Sequence, residues 1–145
     1  MDKNSCPYQT AIETNGVLAF VPHGNSMWPF FKSGKQTVII VKNKDRLELL
    51  DVALYKTCDG QVVLHRVVGV LDDGYIMQGD SLFKSEKILE SQVIGVMDSF
   101  YKGKRILSPL DPKYVKKVKK WYKGGKTVNF RKKLFHFFAD RKQSK

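Results

Sequence analysis

Two aspartate–glycine pairs constrain this chain most. Asp59-Gly60 and Asp73-Gly74 each stand between two apolar runs of strand length. Glycine supplies the positive φ that tight turns need, and Asp-Gly between apolar runs marks a β-hairpin. The flanking runs are residues 52–56, 61–70 and 75–78. Residues 17–21, 37–42 and 92–97 have the same β-branched or apolar character, which suits a pleated, half-buried surface. Lys102-Gly103 can turn a further hairpin between residues 99–101 and 104–107. Many short strands with glycine turns, and no regular alternation of strands with helices, predict a mainly β chain built as a folded antiparallel sheet or partial barrel.

The pattern changes near residue 110. Asp111-Pro112 reads as a helix cap followed by proline at the first helical position. Tyr114, Val115, Val118, Trp121 and Tyr122 then recur at helical spacing between lysines, up to Gly124-Gly125. Thr127 is placed to cap a second helix, with Phe130, Leu134, Phe137 and Phe138 on one side. Three parts are therefore expected: a short, polar, partly loose segment 1–16, a β domain 17–110 and a basic helical tail 111–145. The formal net charge of +12 resides almost entirely in that tail, where 13 Lys and Arg face 2 acids. Such a balance, interleaved with Trp121, Tyr122, Phe130, Phe135, Phe137 and Phe138, suits an anionic membrane surface. Nucleic acid is the lesser alternative, and a packed helix, a protein contact or a solvated tail stays open.

Three segments carry residues fit for chemistry. In the first, Gly24-Asn25-Ser26-Met27-Trp28-Pro29, a serine sits in a turn directly after an apolar run. Such a turn can hold a hydroxyl at the edge of a sheet, though serine also caps turns with no further role. In the second, His65 and Arg66 interrupt the apolar run 62–70. Period-two geometry puts Val63, His65 and Val67 on one face and Leu64, Arg66 and Val68 on the other. A histidine enclosed there must be hydrogen-bonded, and its ordinary pKa near 6.5 suits a base at neutral pH. The third segment, Gly79-Asp80-Ser81 to Glu86, offers two carboxylates. A carboxylate near a base can fix its tautomer and stabilise its cation. Otherwise Asp80 is a turn residue and Glu86 a solvated charge.

In this order and spacing, Ser-Met-x-Pro, His-Arg-Val and Gly-Asp resemble the signal peptidases, in the larger group that also holds the LexA-like self-cleaving repressors. The resemblance covers about residues 17 to 106. A histidine at position 65, where most bacterial members carry lysine, is similar to the endoplasmic-reticulum and archaeal type. The resemblance implies a LexA/signal-peptidase-type β fold and a serine endopeptidase cutting after small residues. It implies Ser26 as nucleophile, His65 as general base, and Asp80 or Glu86 as the third member. Asp80 matches a family acid directly; Glu86 is the nearest acid to a second one. Gly24, Asn25 and Met27 would border the substrate and oxyanion site. The chain departs from the family at Gly24, where a serine hydroxyl is frequent, so the oxyanion hole would rest on backbone N–H groups, Ser26's among them. It departs again at Gly34-Lys35 and Leu50-Asp51, where Gly-Asp is usual.

No cofactor or metal is expected: Cys6 and Cys58 match no ligand spacing. His23 and His136 read as incidental. No apolar run approaches the roughly 20 residues of a membrane span, and residues 1–16 lack an apolar signal core. The expected location is cytoplasmic, peripheral on the inner membrane face through the tail, with peptide or leader substrates. Two other functions fit the same residues: a peptide-binding module that lost turnover, and a self-cleaving regulator. The second lacks an Ala-Gly cut site in the short stretch before the β domain.

Overall fold

The structure, a computed structural model, describes residues 6–143. Residues 1–5 of the expected N-terminal segment and 144–145 of the tail lie outside the described residues. The chain divides into two compact units, 1–109 and 110–145.

The first unit is one open antiparallel sheet. Its strands are β1 (Val17–Phe20), β2 (Val38–Val41), β3 (Val52–Lys56), β4 (Val62–Val70), β5 (Gly74–Gln78), β6 (Glu86–Leu89), β7 (Val93–Lys102) and β8 (Arg105–Leu107). Their order is β1-β2-β7-β3-β4-β5-β6, with β8 paired to the far end of β7. The Asp59-Gly60 and Asp73-Gly74 turns join β3 to β4 and β4 to β5. The expected run 92–97 extends to Lys102 as β7 and turns directly into β8. β6 was not foreseen, because Glu86-Lys87-Ile88-Leu89 carries too few apolar residues to show alternation.

β7 reaches across the sheet and pairs with β2, β3 and β8. This central position explains Gly95: a Cβ there would lie 2.6 Å from the Val41 carbonyl oxygen. Ala53, Tyr55, Val67, Tyr75, Met77 and Ile88 form a buried cluster on one face, closed by Leu47. Val52, Leu54, Leu64 and Arg66, alternate residues of β3 and β4, are buried on the other.

The N-terminal segment departs from expectation. Pro7–Asn15 forms a helix, α1, with proline in its first turn and Gly16 at φ 76 closing its end. Ile12 is buried, α1 packs on β1 and β7, and the Tyr8 ring meets Phe20 edge-on at 5.6 Å. A few apolar anchors suffice to order a segment of polar composition.

The second unit holds α2 (Pro112–Lys123) and α3 (Gly125–Gln143). The Asp111 carboxylate accepts from the Lys113 and Tyr114 amides, capping α2. Thr127 does not cap the second helix; α3 starts two residues earlier, at Gly125, whose φ is 53. Trp121 is buried and Phe135 and Tyr122 are half-buried, so these three aromatics are less available to a lipid interface than the sequence suggests. No helix among the described residues is long and apolar enough to cross a membrane.

Gly95→Ala should destabilise the sheet by about 1–3 kcal/mol, the usual cost of overpacking. Urea unfolding followed by circular dichroism would show a lower midpoint at unchanged slope.

Candidate active site

Arg66 and Asp80 form the best-enclosed polar contact of the first unit. Arg66 Nε and Nη2 each donate to one Asp80 carboxylate oxygen at 2.8 Å, and both side chains are at most 1% exposed. Arg66 Nη1 donates to the Leu50 carbonyl at 3.1 Å, and the guanidinium carbon lies 5.3 Å from the centre of the Phe30 ring. Leu50 adopts φ 74, a left-handed conformation that L residues rarely adopt.

This pair organises the serine loop. Asp80 belongs to the Gly79-Asp80-Ser81 turn that follows β5. The Ser81 amide donates to the Ser26 carbonyl at 3.0 Å, and Ser81 Oγ donates to the Asn25 carbonyl at 2.7 Å. Gly79 is needed for this approach, since a Cβ there would stand 2.7 Å from the Ser26 carbonyl oxygen. Within the loop, the Phe30 and Phe31 amides donate to the Met27 carbonyl, and the Met27 side chain is buried. The Gly24 amide donates to Ser33 Oγ at 2.8 Å, which commits it away from an oxyanion site.

A cavity of about 80 Å³ opens beside Ser26, walled by Phe20, Pro22, His23, Val63 and Leu64 among others. That is well above the roughly 10–15 Å³ of free space that one water needs. His23, read from sequence as incidental, is therefore part of this wall. Its position three residues before Ser26 was the only available signal.

His65 stands on β4 next to the wall residues Val63 and Leu64. It shares a sheet face with Val63, Ala53 and Tyr55, as the strand period predicts. Its Nδ1 lies 2.9 Å from the Tyr55 hydroxyl, and that hydroxyl donates in turn to Glu86 Oε1. Tyr55 is fully buried, and burial, followed by the Glu86 hydrogen bond and charge, holds its hydroxyl far above the usual phenol range. The phenol therefore keeps its single proton and donates it in the hydrogen bond to Glu86. The Tyr55 oxygen can then only accept from His65, which places the imidazole proton on Nδ1 and leaves Nε2 with a lone pair. Burial pulls the His65 pKa below its ordinary value, opposed by the charges of Glu86 and Asp80.

The two acids thus serve different partners. Both oxygens of Asp80 face Arg66, whereas Glu86 reaches His65 through Tyr55. Tyr55 was missed in the sequence, where one tyrosine in an apolar strand reads as core. Among the described residues, no hydrogen bond joins Ser26 Oγ to His65, and no group of three or more His, Cys, Asp or Glu is arranged to hold a metal. Searches against protein-family models and against curated proteins found no match to the chain.

Asp80→Ala should cost about 3–5 kcal/mol, because it leaves the Arg66 charge buried without its partner. Glu86→Gln, on an exposed residue, should cost no more than about 1.5 kcal/mol, the scale of one ordinary hydrogen bond. Parallel denaturant titrations would show the two acids parting in this way.

Proposed function

We propose that the chain is a serine endopeptidase of the signal-peptidase type, with a LexA/signal-peptidase-like β domain. The observation that carries this reading is the His65–Tyr55–Glu86 chain. It presents a basic imidazole nitrogen on the strand whose preceding residues wall a cavity with Ser26.

In this mechanism a peptide binds extended along the sheet, with a small side chain in the cavity. Binding closes Ser26 Oγ onto His65 Nε2, since catalytic hydrogen bonds often tighten only with substrate. His65 takes the hydroxyl proton as Oγ attacks the scissile carbonyl. The oxyanion is met by a backbone N–H, that of Ser26 being the candidate. His65 then gives the proton to the leaving amine, and water repeats the sequence on the acyl-enzyme. Glu86 stabilises the imidazolium through the intervening phenol, at longer range than a directly bonded carboxylate.

A histidine base suits a shallow site. Lysine in this position must be neutral, which requires burial deep enough to lower its pKa by several units. His65 is neutral at pH 7 while only half-buried.

A second reading keeps the groove and drops the chemistry. It is favoured by the Gly24 amide being committed to Ser33 and by the missing Ser26–His65 hydrogen bond. A peptide library with small residues at varied positions, read by mass spectrometry, separates the two. The peptidase reading predicts cleavage that Ser26→Ala abolishes and His65→Ala lowers by about 10²–10⁴-fold. Tyr55→Phe should lower kcat/KM less than His65→Ala does. Binding of peptides without cleavage would favour the second reading, and loss of activity in His23→Ala but not in His65→Ala would move the base to His23.

The pH profile follows from the same geometry. A lowered His65 pKa puts the acid limb of kcat/KM below about pH 6.5. Glu86→Gln removes a charge that raises this pKa, so the limb should move to still lower pH.

A further inference from the structure

The geometry points to α3 as a docking surface for an anionic lipid bilayer. This inference stands apart from the reading of Ser26, because it rests on the second unit alone.

Phe130, Leu134, Phe137 and Phe138 recur at i, i+4, i+7 and i+8. At about 100° per residue they occupy one stripe roughly 100° wide. All four are exposed, at 63%, 46%, 54% and 54%. The stripe is not the packed side of the helix, for Val128 and Lys132, on the opposite side, are buried. The helix therefore shows half-exposed apolar side chains to solvent on a face other than its buried one. Contiguous apolar patches of this kind mark interaction surfaces.

Charge selects the occupant. Lys126, Arg131 and Lys133 flank the stripe and are exposed. Lys113, Lys116, Lys117, Lys119 and Lys120 are exposed on α2. The tail carries 13 Lys and Arg against 2 acids. A second copy of this face would bring like charges together. Duplex nucleic acid would satisfy the cations and leave Leu134 and the phenylalanines in water. An anionic bilayer meets both demands: acyl chains take the stripe and head groups take the cations.

The test uses the full chain and flotation with vesicles of phosphatidylcholine alone or mixed with phosphatidylglycerol. Binding should appear only on the mixed vesicles and weaken as salt rises. The triple variant Phe130→Ser, Leu134→Ser, Phe138→Ser should bind them at least about tenfold more weakly, since each loses apolar burial. Circular dichroism and unfolding of the triple variant should match the parent, because all three residues are exposed. A single variant, Phe130→Ser, should show a smaller loss in the same direction if the triple variant misfolds. No binding to mixed vesicles overturns the proposal. So does binding that neither variant weakens, which would leave a purely cationic contact. Tighter binding to duplex DNA than to mixed vesicles, or a concentration-dependent dimer that the triple variant abolishes, would give the surface to those partners instead.

Discussion

The buried Arg66–Asp80 pair is the constraint on which the candidate site depends. Two charges removed from water need each other, and here two guanidinium nitrogens, Nε and Nη2, each meet one carboxylate oxygen. The pair fixes more than itself. It draws the turn after β5 onto the sheet, and that turn holds the Ser26 and Asn25 carbonyls. It also takes the Leu50 carbonyl, which ties the strained entry of β3 to the same centre. A buried ion pair often adds little net stability over an apolar replacement. Its effect in this fold is positional: three chain segments far apart in sequence converge on one guanidinium.

On the opposite face of the same strand, the neighbouring residue does different work. His65 meets no carboxylate through a direct hydrogen bond of its imidazole at Nδ1; it meets a phenol that meets a carboxylate. The phenol transmits orientation well, since its one proton is claimed by Glu86 and its oxygen can only accept. It transmits charge less well, because distance and an exposed Glu86 both weaken the field at the ring. The result is a neutral imidazole of fixed tautomer, suited to accepting a proton at moderate pH. Adjacent residues of one β-strand thereby serve a buried ion pair on one side and the proposed base on the other, by the simple alternation of sides.

Much of this was legible in the sequence. The strands flanking Asp59-Gly60 and Asp73-Gly74, the two-faced placement of His65 and Arg66, and the Asp111-Pro112 helix start all follow from local rules. What escaped depended on contacts between distant segments. Glu86 and Asp80 could not be told apart, because their partners are chosen by strand register and by a turn. Tyr55 looked like core because nothing in its own strand shows that its hydroxyl ends between an imidazole and a carboxylate. His23 looked incidental because the cavity it walls exists only after β1 and β4 are brought together. Helix α1 escaped because its burial rests on Ile12 and little else.

The central claim is that His65 holds its proton on Nδ1 and offers Nε2 to Ser26. Nitrogen-15 NMR of the His65 ring, before and after a phosphonate probe is added to react with Ser26, measures this directly. The account predicts an Nδ1-protonated neutral ring at pH 7 in the free protein. It predicts an imidazolium protonated on both nitrogens once the tetrahedral adduct forms. A free ring protonated on Nε2, or a ring indifferent to modification of Ser26, would contradict it.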